Sequence, residues 1–154
     1  MPPKTRVVAH PRKQTDQKRE FELAFQGLRK MLRPYDKKLR VTKDAAAAYM
    51  SDSKSIQYLE KPVMFASITS KSYVSFHLFP VYMFPDLLNG MSLALKKRMQ
   101  GKTCWNFKNA EQPLFAELAR IVEASFQRFA ELGERNLSRE DALAFWGAAK
   151  NKKS

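Results

Sequence analysis

The sequence predicts an α+β fold, a small antiparallel sheet packed by N-terminal and C-terminal helices. Three observations carry this expectation. Apolar residues recur at steps of three and four near both ends of the chain. Residues 63–80 instead contain two extended runs joined by a short polar link, the pattern of a hairpin. With 154 residues, 44% of them hydrophobic, and 11 Phe, the chain lies outside the disordered class. A chain of this length buries roughly 70% of the surface its unfolded form exposes.

The first helix is expected to start at Thr15, an N-cap residue followed by Asp16 where the helix dipole favours an anion. Phe21, Ala24, Phe25, Leu28, Met31 and Leu32 form its apolar stripe, and Pro34 ends it. Lys18, Glu22, Arg29, Lys30 and Arg33 lie opposite, giving a basic rim. The segment from Leu39 to Met50 is read as one strand, although its Ala45 to Ala48 tract favours helix by propensity. Ser51 to Ser55 reads as a polar turn. Val63 to Thr69 and Tyr73 to Pro80 are strands joined by residues 69–72. In the second strand Val74, Phe76 and Leu78 share the core face. Tyr73, Ser75, His77 and Phe79 share a mixed face, expected where a sheet meets solvent or lines a shallow cleft.

Ser92 to Gln100 reads as a helix with Ser92 as N-cap and Gly101 as its stop. Thr103 to Phe107 is a further strand. Pro113 suits a first helical turn, and Phe115, Leu118, Val122, Phe126 and Phe129 continue a helical stripe to Gly133. Ser138 with Asp141 three residues on, then Ala142, Leu143 and Trp146, gives a short last helix. The expected organisation is a disordered basic tail over 1–14, one domain over 15–133, a helical extension over 134–149 and a basic tail over 150–154.

The formal net charge is +13. Seven units belong to the ends: residues 1–20 hold +4, and Lys150, Lys152 and Lys153 add +3, leaving +6 on residues 21–146. Within that body, Arg29 to Lys43 sets seven cations against Asp36 alone. Between Asp86 and Glu111 stand Lys96, Lys97, Arg98, Lys102 and Lys108 with no acid. Such stretches are solvated faces before they are anything else, because net charge governs solubility and nonspecific attraction rather than fold. The single Cys104 makes no intramolecular bridge, which fits a reducing cytoplasmic compartment or simply a protein that uses no disulfides. The longest apolar run, Phe76 to Phe84, is broken by Pro80 and is short of a bilayer span, so no membrane partner is expected. No apolar run of signal-peptide length follows the first charges, and secretion is not expected.

Gly101-Lys102-Thr103 invites a phosphate-loop reading and fails on spacing, because Lys96 occupies the place of the second glycine and Thr103 opens a strand. His77 and Cys104 are the soft ligands of the body, and two ligands do not close a zinc site. They are also the available base and thiol, with no triad motif around them, which makes an enzyme the less favoured class. Lys96 to Lys108 interleaves cations with Trp105 and Phe107, a composition that attracts phosphates and stacks bases if the aromatics are exposed. Large aromatics in small domains are mostly core, which leaves nucleic acid possible but not favoured.

Phe65-Ala66-Ser67-Ile68, Lys71 through Pro80, Leu95 through Lys102, and the helix start at Pro113-Leu114-Phe115 together resemble the YdhG-like domain family over residues 15–133. The resemblance implies a small intracellular α+β domain of frataxin-like shape, with iron delivery described for some relatives. Iron on such domains relies on clustered carboxylates, and here 28 cations face 15 acids, so iron binding stands as the alternative. The expected function is noncatalytic binding of an anionic small ligand or a protein partner. The candidate residues are Tyr73, Ser75, His77, Lys96, Lys97, Arg98, Lys102 and Trp105, with no metal ligands assigned.

Overall fold

A computed structural model describes the backbone of residues 2–144 and the side chains of residues 15–144. The fold is α+β, with helices α1 (Pro2–Leu32) and α4 (Gln112–Leu132) packed on a six-stranded sheet. The helix expected from Thr15 is continuous from Pro2, so Thr15 lies inside α1 and residues 2–14, expected as a disordered tail, belong to it. Pro2 and Pro3 stand in the first turn, where a missing N–H costs nothing. Ala24, Phe25, Leu28 and Leu32 are buried, as the stripe predicts. Pro34 converts the chain to a 3₁₀ turn, Arg33–Lys38.

The single strand read over 39–50 is a hairpin. β1 (Leu39–Ala45) and β2 (Ala48–Tyr58) pair antiparallel with Ala45 opposite Ala48, so the alanine tract is the turn. The polar turn expected at 51–55 lies within β2. Its hydroxyls find partners there: Ser51 Oγ donates to the Ala66 carbonyl at 3.4 Å, and Ser53 Oγ accepts from the amides of Ser55 and Ile56 at 3.2 and 3.0 Å. Burial of these serines is tolerated because each is hydrogen-bonded.

β3 (Lys61–Ser70) and β4 (Val74–Leu78) form the predicted hairpin. α2 (Pro80–Met83) and a 3₁₀ turn, Pro85–Leu88, follow. α3 (Leu93–Lys96) is capped by Ser92 Oγ, which accepts from the Leu95 amide at 3.1 Å. The helix predicted to Gln100 stops at Lys96, because the next residues pair with β5 (Cys104–Phe107) instead. The Arg98 carbonyl accepts from the Asn106 amide at 2.7 Å, and the Gln100 amide donates to Cys104 at 2.8 Å. Gly101, with φ of 82°, makes the turn between the two.

α4 begins with Pro113 in its first turn and ends at Gly133, as the sequence predicts. β6 (Arg135–Leu137) is unpredicted; it pairs parallel with β2, beside an otherwise antiparallel order β1-β2-β3-β4-β5. The Ser138–Asp141 capping box is formed and opens α5 (Arg139–Ala142). Trp146 and the tail over 150–154 lie outside the described residues.

One face of the sheet meets α1 and α4, and Tyr49, Phe65, Ile68, Phe76, Trp105 and Phe107 are fully buried there. Gly27 lets the two helices approach closely: a Cβ at that position would lie 2.8 Å from the Phe115 ring. Phe115 in turn packs edge-on against Phe107, centroids 4.9 Å apart. Among the described residues no helix is long and apolar enough to cross a membrane.

Candidate binding site on the open sheet face

Alternation along a strand sends every second side chain to the same face. Because Val74, Phe76 and Leu78 point to the core, Ser75 and His77 point to the other face, half-buried, with Tyr73 exposed beyond them. The β3–β4–β5 register then aligns two rows there. Ser67, His77 and Cys104 stand side by side in one; Thr69, Ser75 and Asn106 stand in the other.

Both rows are hydrogen-bonded across β4 and β5. Ser75 Oγ donates to Asn106 Oδ1 at 2.6 Å, which leaves the Asn106 amide nitrogen as the donor that group can offer a ligand. His77 Nδ1 lies 2.9 Å from Cys104 Sγ and 2.9 Å from Thr103 Oγ1. Burial holds the His77 imidazole below the ordinary histidine range. Burial also pushes the Cys104 thiol up, against a smaller lowering by the Thr103 hydrogen bond. Both shifts favour neutral groups, so the pair is a thiol hydrogen-bonded to an imidazole rather than a thiolate–imidazolium couple. Among the described residues no three His, Cys, Asp or Glu side chains come together around a metal position.

Beside these rows, at the β5 edge, lies a hollow of about 430 Å³. Tyr73, Lys97, Asn106, Lys108 and Asn109 line it, and Arg98 and Glu111 form one side. Arg98 is engaged in a bidentate pair with Glu111, both contacts at 2.6 Å. Lys108 Nζ sits 5.5 Å from the Tyr73 ring centroid, within cation–π reach. Lys97 and Lys108 make no salt bridge among the described residues.

The fold therefore groups Tyr73, Lys97 and Arg98 around one hollow, with Ser75 and His77 on the adjoining face. Lys96 and Lys102 are directed elsewhere, to a second cleft formed with α2. Trp105 stands opposite Phe76 in the ladder and is fully buried, so it faces away from His77 and the two residues line no common pocket. Thr103, Asn106, Lys108 and Asn109 are site residues that the sequence reading does not single out. The signal for two of them is present: alternation that puts Trp105 and Phe107 together also puts Cys104, Asn106 and Lys108 on the opposite face.

Comparison of the chain with protein-family profiles, with curated proteins and with solved structures gives no match in any of the three.

Proposed function

We propose that this protein is a noncatalytic binding module whose open sheet face takes a small anionic ligand in the hollow at the β5 edge. The observation that carries the reading is the convergence of Lys97 and Lys108, neither salt-bridged among the described residues, on one hollow with Tyr73 and Asn106. Two ammonium groups supply charge, the Asn106 amide supplies a directed donor, and the exposed Tyr73 ring supplies a flat surface. The neutral His77–Cys104 pair gives that face shape and polarity without an activated nucleophile.

The proposal includes a cytoplasmic setting and a YdhG-like relationship, supported by the free thiol of Cys104 and by the motifs that carry the resemblance. It does not extend to iron, because among the described residues no three His, Cys, Asp or Glu side chains group into a cation site, and four of the acids are already engaged. Glu111 is held by Arg98, Glu117 by Ser92, and Asp36 and Asp44 by Arg29.

Calorimetric titration with inorganic phosphate, mononucleotides and small dicarboxylates at low salt tests the reading. At least one of these binds, and Lys97→Gln or Lys108→Gln weakens it by about fivefold to tenfold, the loss of one charge-assisted contact. Silence toward all three classes overturns the reading. Affinity that grows with oligonucleotide length and falls steeply with salt replaces it with nucleic-acid binding.

A further inference from the structure

The basic stretch that the sequence presents as one unit is divided by the fold. Lys97 and Arg98 belong to the open-face hollow, whereas Lys96 and Lys102 line a separate cleft of about 500 Å³, within the range of small-molecule sites. Its wall is apolar. Val81 and Tyr82 come from α2, Pro85 and Leu88 from the turn after it, and Met91 and Met99 from either side of α3. Val81 is buried in the core, and Leu88, Met91 and Met99 pack on the core while keeping part of their surface exposed. Methionine is flexible and polarizable, so a wall with two of them adapts to an alkyl chain.

The mouth of the cleft is open. Gly90 and Gly101 stand at its rim, and a Cβ at either position would meet nothing within 4 Å. Lys102 Nζ lies 5.7 Å from the Tyr82 ring centroid. Neither Lys96 nor Lys102 makes a salt bridge among the described residues. An apolar wall gains by covering with hydrocarbon, and two ammonium groups beside it gain by meeting an anion. A ligand that does both has an apolar tail and one negatively charged end.

We propose that this cleft binds a medium-chain alkyl carboxylate, with its tail on Val81, Leu88, Met91 and Met99 and its carboxylate at Lys96 and Lys102. This cleft shares Met99 with the open-face hollow but takes its cations from different lysines, so either site can fail without the other.

The experiment is a calorimetric titration of the full chain with acetate, hexanoate, octanoate and decanoate below their micelle concentrations, paralleled by amide chemical-shift mapping. Acetate is silent, and from hexanoate to decanoate the affinity tightens about threefold to fourfold per added methylene. The shifted amides centre on residues 81–91 and on Lys96, Gly101 and Lys102. Lys96→Gln combined with Lys102→Gln weakens decanoate at least fivefold, while Met91→Gln and Leu88→Gln flatten the dependence on chain length. Far-UV circular dichroism checks that each variant is folded, and Met91→Gln, on the turn before α3, carries the tail test if Leu88→Gln does not fold. Affinity independent of chain length, unchanged decanoate binding by the double lysine variant, or shifts centred away from residues 81–91 overturns the proposal. Weakened binding of the hollow's anion in Lys97→Gln, with decanoate binding intact, separates the two sites.

Discussion

His77 Nδ1 and Cys104 Sγ lie 2.9 Å apart at directly opposed positions of β4 and β5. Thr103 Oγ1 approaches the same nitrogen at 2.9 Å. Thiol and hydroxyl both have a proton to offer, a pattern that suits a neutral imidazole accepting at Nδ1 with its own proton on Nε2.

This neutrality makes stability depend on pH. The His77 value is lowered by burial from its ordinary 6.5. Below that pH the unfolded chain takes up a proton that the folded chain still refuses, so stability is fully present above about pH 6.5 and is lost as pH falls toward the folded value. Urea unfolding of the parent and of His77→Asn between about pH 5 and 8 measures this linkage. The parent loses more stability on acidification than the variant; parallel pH profiles would show that the His77 proton is not coupled to folding.

The thiol behaves in the opposite sense. Burial raises Cys104, and the Thr103 hydrogen bond opposes that rise. Alkylation by iodoacetamide therefore accelerates only above the pH at which a free cysteine does so, and Thr103→Val moves the inflection higher still. An inflection below that of free cysteine contradicts the neutral pair.

Gly27→Ala destabilises the fold, although Gly to Ala in a helix ordinarily gains up to about 1 kcal/mol. The new methyl group meets the Phe115 ring at 2.8 Å, and that ring is wedged against Phe107. Overpacking of this kind costs about 1–3 kcal/mol. The urea midpoint falls in Gly27→Ala, and Phe115→Leu costs less in that background than in the parent, since the smaller side chain relieves the clash. Additive losses in the double variant contradict the assigned contact.

Arg29 fastens α1 to β1. It is buried, reaches Asp36 at 2.8 Å and Asp44 at 3.1 Å, and lies over the Tyr49 ring at 4.4 Å from the centroid. Both carboxylates keep contact with water, so removing the guanidinium costs less than a fully buried pair; Arg29→Ala loses about 2 kcal/mol, part of it from the packing of the stem. Arg29→Lys restores little, because an ammonium group cannot grip two carboxylates with a planar fork. Full rescue by lysine in chemical denaturation contradicts the role assigned to the fork.

The turn between β2 and β3 places Leu59 and Glu60 at φ of 50° and 69°. Side chains other than glycine pay about 1–2 kcal/mol to enter this left-handed region. The turn keeps its shape through β6, whose Asn136 Oδ1 accepts from the Glu60 amide at 2.8 Å and whose Leu137 carbonyl accepts from the Leu59 amide at 3.0 Å. Leu59→Asn with Glu60→Gly supplies the residues that such hairpin turns favour and raises stability by about 1 kcal/mol. A thermal midpoint at or below that of the parent counts against strain at this turn.

The long helices and the β3–β4 hairpin were legible because each has a sustained period: Phe21 to Leu32 and Phe115 to Phe129 at helical steps, Val74 to Leu78 at steps of two. Caps at Ser92 and Ser138 were legible because the cap is a local hydrogen bond. The β1–β2 hairpin was not, since its turn is made of alanines rather than Gly or Asn, and the hydroxyls of the polar run Ser51 to Ser55 find their partners in β3, in their own backbone and in each other. β6 is three residues long and has no period of its own. On the open face, the neighbourhood of Tyr73, Ser75 and His77 followed from alternation. The parting of Lys96 from Lys97 did not, because it depends on Arg98 to Gln100 leaving a helix to pair with a strand that follows it.

That departure also decides how the sheet ends. The bridge between Met99 and Trp105 covers the outer edge of β5, where exposed amides and carbonyls would otherwise recruit a foreign strand. The opposite end of the strand order is β1, which carries exposed Arg40, Lys43 and Asp44 and an irregularity in its register between Val41 and Lys43. One border is sealed by the chain's own backbone and the other is guarded by charge and a kink. Among the described residues, neither end of the β1–β5 order thus offers a second copy a smooth margin along which to extend the sheet.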